Sequence, residues 1–110
     1  MENLFSYGTL RYPSVQLAVF GRTLDGTADA IVGCRLEKFT ITDERAIAIS
    51  GIAEHTILEP TGRDSDQVEG TVFSLTDKEL RQADAYEDSA YKRVQVPLRS
   101  GANTWVYVKA

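Results

Sequence analysis

The stretch FSYGTL, residues 5–10, determines how the chain begins to fold. Its apolar start predicts a first strand over residues 3–7, of the kind found in the interior of a sheet. Gly8 then interrupts this strand. A glycine directly after a strand lets the backbone turn sharply and leaves amide N–H groups uncovered, so an anion or a carbonyl group can lie against them. We therefore expect a ligand-binding turn at the end of the first strand.

Two helices are predicted, both short. Residues 14–20 place Val15, Ala18 and Val19 on one helical face, and Gly21 follows as a C-terminal cap. The second helix begins at the sequence TDKE, residues 76–79, which matches a capping box. We expect it to end near residue 87.

Alternating apolar residues predict several antiparallel strands. The first such face consists of Ala28, Ala30, Val32 and Cys34, and a second alternation consists of Phe39, Ile41, Ile47 and Ile49. Residues 56–58 are weakly strand-like, and residues 68–75 form a clear strand in which Gly70 marks a bulge or a close backbone approach. Residues 91–98 and 104–108 predict a terminal hairpin. The fold class is therefore α+β, with a mainly antiparallel, curved or barrel-like sheet and two short helices.

The composition is that of one globular domain spanning residues 1–110. The chain has 43% hydrophobic and 25% charged residues. Its net charge is -4, and Lys92 with Arg93 is the only pair of adjacent basic residues, which argues against a nucleic-acid partner. A single cysteine excludes an intrachain disulfide, and no window is apolar enough to span a membrane, so we expect a cytoplasmic protein. The oligomeric state is left open.

Metal and nucleophile chemistry have little support in the sequence. His55 is the only histidine and Cys34 the only cysteine, and neither lies in a nucleophile motif. One histidine and one cysteine do not supply the ligands of a zinc site. We interpret His55 as structural or surface-exposed and Cys34 as buried filler, with no metal site.

Glu87 is the most informative carboxylate. It shares a helical face with Leu80 and Ala83, the face expected to meet the core. A carboxylate there costs several kcal/mol to desolvate unless it is paired or neutralised. Partial burial and the helix C-terminus would both raise its pKa, which suits a general base. The local sequence leaves two alternatives: a functional group, or an ion pair with Arg93 or Lys92.

Four short motifs, taken together and in this order, are similar to those of a known family. They are YGTL at residues 7–10, VEG at 68–70, DAYE at 84–87 and YKR at 91–93. The chain resembles the gamma-glutamylcyclotransferase-like family, which includes AIG2-like proteins and gamma-glutamylamine cyclotransferases. The likeness covers nearly the whole chain.

The resemblance implies an enzyme that closes a gamma-glutamyl group into 5-oxoproline and expels an amine or amino acid. Glu87 would be the catalytic acid and base. The residues that would bind this small-molecule substrate are Tyr7, Gly8, Thr9, Leu10 and Tyr91. Arg11 would lie at the mouth of the pocket. No cofactor is implied.

The chain departs from the family pattern at several points, and other functions remain open. Ala83 replaces a frequent leucine, Asp88 replaces a frequent glycine, and a C-terminal extension found in longer relatives is missing. One alternative is a non-catalytic domain that binds a small ligand in the same cavity. Another is a protein-interaction module that uses Trp105 and Tyr107 of the terminal hairpin.

Overall fold

The structure, a computed structural model, describes residues 1–40, 54–87 and 91–109. The strands are β1 (Glu2–Ser6), β2 (Gly26–Val32), β3 (Cys34–Thr40), β4 (Glu54–Pro60), β5 (Gln67–Leu75), β6 (Tyr91–Pro97) and β7 (Asn103–Lys109). The helices are α1 (Pro13–Phe20), α2 (Asp77–Glu87) and a short 3₁₀ helix (Thr9–Arg11). The predicted α+β class, with a mainly antiparallel sheet and two short α-helices, is confirmed.

Strand β1 lies at the centre of the larger sheet. The order of that sheet is β2-β5-β1-β7-β6, and β3 pairs with β4 in a separate two-stranded ribbon. Strand β1 runs antiparallel to β5 and parallel to β7, so it is the interior strand that its apolar sequence predicts. Within the described residues the strands form this open sheet and ribbon, and the sheet does not close into a barrel.

Both faces of β1 are buried because successive side chains of a strand point to opposite sides. Leu4 packs with Leu80 and Ala83 of α2 on one side. Phe5 packs on the other side with Leu58 of β4. The larger sheet is therefore covered by helix α2 on one face and by the β3–β4 ribbon on the other.

The capping box forms as predicted and fixes the start of α2. The backbone N–H of Thr76 donates to Glu79 Oε1 at 3.0 Å, and the N–H of Glu79 donates to Thr76 Oγ1 at 3.1 Å. Arg22 adds two bonds to the same carboxylate, at 2.7 and 2.9 Å, and these bonds hold the pKa of Glu79 near 2. The helix ends at Glu87, which places this residue at its C-terminus.

Glycine 70 marks a close approach of two strands. A Cβ added at Gly70 would lie 2.5 Å from the ring of Phe5 and 2.5 Å from the carbonyl oxygen of Ser6. A side chain at this position would therefore collide with β1. Of the two roles that the sequence left open for this glycine, the structure shows the close approach.

Two predicted apolar faces differ from the observed ones. In β2 the buried residues are Asp29, Ala30 and Ile31, whereas Ala28 and Val32 are exposed. Strand β2 lies at the edge of the sheet, so its neighbours cover only its central part. The prediction of one buried face from Ala28 to Cys34 is wrong for this reason.

In α1 the buried pair is Val15 and Gln16, while Ala18 is exposed. Gln16 can be buried because its side-chain amide forms hydrogen bonds with the backbone before and after α1. Its Nε2 donates to the carbonyl of Leu10 at 2.9 Å, and its Oε1 accepts from the N–H of Leu24 at 2.9 Å. The predictions for Ile41, Ile47 and Ile49 lie outside the described residues.

No helix in the described part of the chain combines the length and the apolar character that crossing a membrane requires.

Candidate functional site

The turn after β1 leaves space beside Gly8. Its φ of -130° is one that any residue adopts, so the turn does not depend on a left-handed backbone. A Cβ added at Gly8 would meet nothing within 4 Å. The space next to the backbone at Gly8 is therefore open, and the 3₁₀ helix that follows begins with amides that have no acceptor within it.

Tyr7 and Thr9 fix this turn to the rest of the fold. The phenol of Tyr7 donates to the backbone carbonyl of Tyr107 at 2.6 Å. The hydroxyl groups of Thr9 and Tyr86 are 2.6 Å apart and share a hydrogen bond. The turn is thereby attached to β7 on one side and to α2 on the other.

Leu10 and Arg11, at the end of this turn, differ in exposure. Leu10 is buried in the core, with 2% of its surface exposed, so its side chain supports the turn rather than facing an open space. Arg11 is exposed, and its Nε donates to the carbonyl of Gly8 at 3.1 Å. It therefore lies beside the turn, where its guanidinium group closes the turn on itself.

Glu87 has a carboxyl group whose protonation is strongly affected by burial. Its side chain is partly buried at the C-terminus of α2, below the fully buried Ala83. Desolvation raises the pKa of Glu87 to about 8. Near neutral pH Glu87 can therefore be either protonated or ionised, as its position on the core-facing face of the helix predicts.

Three phenols lie near enough to this carboxyl group to be affected by its charge. The negative charge of Glu87 contributes to raising the pKa values of Tyr7, Tyr91 and Tyr107, for each of which burial is the largest cause. Tyr91 and Tyr107 contact each other edge to face, with ring centroids 6.5 Å apart. Glu87 therefore lies among neutral aromatic side chains.

Arg93 does not pair with Glu87. Its Nε and Nη2 donate to Oδ1 and Oδ2 of Asp84 at 2.8 and 3.0 Å, and its guanidinium group lies 4.2 Å from the ring centroid of Trp105. Lys92 is exposed. Among the described residues no ion pair includes the Glu87 carboxyl group. The ion-pair alternative that the sequence left open is thus not what these residues form.

The hairpin aromatics are less exposed than an interaction module requires. Tyr107 is buried, and its hydroxyl donates to Asp84 Oδ1 at 2.7 Å. Trp105 is partly buried, and its indole N–H donates to Glu2 Oε2 at 3.0 Å. These side chains are therefore used within the fold.

The structure adds side chains that sequence reasoning did not assign to the site. Tyr86 bonds Thr9, and Tyr107 bonds both Asp84 and Tyr7. Long-range packing of the first turn, α2 and β7 decides these contacts, and no local pattern contains that information. The sequence does indicate that Asp84 lies near Glu87, because the two residues are one helical turn apart.

Among the described residues no group of three or more His, Cys, Asp and Glu side chains is placed to hold a metal ion. Cys34 is partly buried, and burial raises the pKa of its thiol. The side chains of His55 and Asp88 lie outside the described residues.

A protein-family model agrees with the motifs. The model described as gamma-glutamyl cyclotransferase, AIG2-like, matches residues 4–110. No curated protein sequence matches the chain closely.

Solved structures share the fold at low sequence identity. A protein from Arabidopsis thaliana, solved in solution, is 24% identical with a TM-score of 0.71, and the match covers 98% of this chain and 61% of that one. A protein titled gamma-glutamyl cyclotransferase is 15% identical with a TM-score of 0.72, over 99% and 66% of the two chains. An uncharacterized protein from Homo sapiens is 16% identical with a TM-score of 0.72, over the same shares. The chain thus spans about two thirds or less of the length of these proteins.

Proposed function

Because the chain belongs to the gamma-glutamyl cyclotransferase, AIG2-like family, we propose that it is a cofactor-independent enzyme that converts a gamma-glutamyl compound into 5-oxoproline. The other product is the amine or amino acid that the gamma-glutamyl group carried. Glu87 acts as the general acid and base, and the turn at residues 7–10 with Tyr91 binds the glutamyl group.

The observation that supports this proposal most strongly is the state of Glu87. Its carboxyl group is desolvated, has a pKa of about 8, and has no ion-pair partner among the described residues. Leaving a carboxylate desolvated and unpaired costs stability, so such groups are concentrated at functional sites. A structural glutamate at this position would be expected to bind Arg93, which bonds Asp84 instead.

The chemistry requires one proton to move twice. The substrate enters with its alpha-amino group protonated, and the Glu87 carboxylate takes a proton from that ammonium group. The freed amine attacks the delta-carbonyl carbon and forms the C–N bond of a five-membered ring. Protonated Glu87 then gives the proton to the leaving nitrogen, the original amide C–N bond breaks, and the ring nitrogen loses its second proton to the released amine. A carboxyl pKa near that of an alpha-amino group, about 8, suits both transfers.

The turn after β1 is suited to hold the rest of the substrate. The open volume beside Gly8 lets a ligand approach the backbone closely, and backbone N–H groups there can donate to a carboxylate or to the developing oxyanion. The phenols of Tyr7 and Tyr91 line the same region around Glu87. Holding the flexible glutamyl chain in a ring-closing geometry supplies much of the rate acceleration.

The test is release of 5-oxoproline by the purified protein from a panel of gamma-glutamyl substrates. The panel contains gamma-glutamyl amines, gamma-glutamyl dipeptides and gamma-glutamyl-lysine, with the matching alpha-glutamyl dipeptides as controls, because ring closure in these leaves the second residue attached and releases no free 5-oxoproline. Release from the gamma-linked compounds alone supports the proposal and names the leaving group.

The same panel also separates an enzyme from a binding domain. A thermal shift with 5-oxoproline or a glutamyl compound, combined with no release from any of them, would contradict the catalytic proposal and support a ligand-binding domain of the same fold.

A further inference from the structure

Asp84 is the centre of a hydrogen-bonded cluster beside Glu87. Its two carboxylate oxygens accept the two parallel bonds from Arg93, and Oδ1 also accepts from the hydroxyl of Tyr107 at 2.7 Å. Such bidentate pairs fix the guanidinium group in both position and orientation. Arg93 is held further by its contact with the ring of Trp105. The cation is therefore fixed from two sides.

This cluster lies one helical turn from the proposed catalytic group. Asp84 and Glu87 are three residues apart on α2, a spacing that places Cβ atoms roughly 5–6 Å apart on the helix surface. Arg93 and Tyr107 stand opposite each other in the β6–β7 pair. The charges of Glu87, Asp84 and Arg93 all affect the pKa of the Tyr107 phenol. Asp84, one helical turn before Glu87, is therefore the group that binds this cation.

We propose that Asp84 is a positioning residue for Glu87: by binding Arg93 in a fixed pair, it prevents this cation from forming an ion pair with the Glu87 carboxylate. An Arg93–Glu87 pair would stabilise the charged form of Glu87 and make it a weaker base. The pair with Asp84 also has no net charge, so it leaves the protonation of Glu87 to be determined by desolvation. This inference rests on the proposed function only in taking Glu87 as the group that transfers the proton.

The other groups that face Glu87 support this assignment. Tyr7 from the end of β1, Tyr91 from β6 and Tyr107 from β7 all have raised pKa values and are neutral near pH 7. Lys92, on the alternate face of β6, is exposed. Arg93 bonds α2 through Asp84, one helical turn before Glu87.

The test is a carbon-13 NMR titration of the Glu87 side-chain carboxyl carbon, assigned with Glu87→Gln. The parent is compared with Asp84→Asn, Arg93→Gln and the double variant. We expect Asp84→Asn to lower the pKa of Glu87 by about 1–3, because a released guanidinium group can approach the carboxylate. Arg93→Gln leaves the Asp84 charge unpaired and is expected to raise the pKa of Glu87. The double variant has no net charge at these positions and should return close to the parent value.

A purely structural role for Asp84 predicts a different result. Asp84→Asn would then lower the melting temperature while the titration of Glu87 stayed where it is in the parent, and this outcome would overturn the inference. If Asp84→Asn does not fold, the opposite shift in Arg93→Gln and its reversal in the double variant carry the same test.

The titration requires no turnover, so the inference and the proposed function fail separately. Expected pKa changes without any 5-oxoproline release would remove the enzyme assignment and leave the electrostatic role of Asp84 intact. Where turnover is present, kcat/KM of Asp84→Asn measured across pH supplies a second readout. We expect its acidic limb to move to lower pH with the pKa of Glu87, which a general loss of stability would not produce.

Discussion

At Glu87, burial favours the protonated form of the carboxyl group, and no described cation offsets that effect. The consequence concerns folding as well as chemistry. A carboxyl group with a raised pKa in the folded state binds a proton more tightly than the unfolded chain does. Its contribution to stability is complete below the ordinary carboxyl pKa, about 4.3, and is lost as the pH rises towards 8.

Glu87→Gln should therefore become more stable relative to the parent as the pH rises. The amide is neutral at every pH, so the variant avoids the cost of ionising a desolvated group. We expect the difference in the free energy of unfolding to shift in favour of the variant by on the order of 1–3 kcal/mol between pH 4.5 and pH 8. Urea denaturation at the two pH values measures it. A difference that does not change with pH would contradict the raised pKa.

The burial of Glu87 was predictable from a local sequence motif, whereas the partner of Arg93 was not. The position of Glu87 on the stripe with Leu80 and Ala83 predicted its partial burial, because helical periodicity is local. The partner of Arg93 was not predictable in the same way. Both Asp84 and Glu87 lie within reach of the next strand in sequence, and only the pairing of β6 with β7 shows which carboxylate binds the cation.

At the scale of elements, Gly8 and Gly70 form a matched pair. Both end or interrupt strands in the sequence, yet a Cβ at Gly70 meets Phe5 and Ser6 at 2.5 Å, whereas a Cβ at Gly8 meets nothing within 4 Å. The pairing of β1 with β5 leaves no room for a side chain at Gly70. At Gly8 there is room for a side chain, although the residue has none.

Substitution by alanine should therefore reduce stability at Gly70 and activity at Gly8. Gly70→Ala is expected to lower the free energy of unfolding by about 1–3 kcal/mol, because the added methyl group overpacks β1 against β5. Gly8→Ala should keep the stability close to that of the parent but lower kcat/KM for 5-oxoproline release on the order of 10–100-fold, since the methyl group occupies the volume beside the turn. Chemical denaturation and initial rates measure the two effects. Equal losses of stability in both variants would show that Gly8 is only a folding residue.

Element boundaries were predictable where local interactions set them. The capping box at Thr76 and Glu79 fixed the start of α2, and Gly21, with φ of 74°, ends α1 as predicted. The buried face of β2 was not predictable, because it depends on how far β5 covers an edge strand. Apolar alternation indicates a strand but not how much of it lies under a neighbour.

At the scale of the whole molecule, Asp29 links the edge strand β2 to the β6–β7 hairpin. Its carboxylate accepts from the backbone N–H of Ala30 and from both the hydroxyl and the N–H of Ser100. The N–H of Arg99 donates to the carbonyl of Ala30 at 2.8 Å beside it. Hydrogen bonding from Ser100 is the main cause that lowers the pKa of Asp29. These contacts join two elements that are about 70 residues apart in sequence and that no local pattern connects.

Asp29→Asn should consequently reduce stability in a pH-dependent way. A carboxylate with a lowered pKa stabilises the fold above its unfolded pKa of about 3.9, and this contribution is lost as the pH falls through the folded value. We expect the variant to melt at a lower temperature than the parent at pH 7, and the gap to narrow in acid. Thermal denaturation at a series of pH values measures it, and a gap of constant size would contradict the assignment.

The proposed reaction depends on one carboxyl group, and its most direct test is the rate of 5-oxoproline release by Glu87→Gln on the best gamma-glutamyl substrate of the parent. Glu37→Gln, the same change at a β3 glutamate with 43% of its side chain exposed, is the matched control. We predict that Glu87→Gln loses at least about 100-fold in kcat while remaining folded, and that Glu37→Gln keeps the parent rate. A Glu87→Gln variant as active as the parent would show that the proton is transferred by another group and would contradict the central claim.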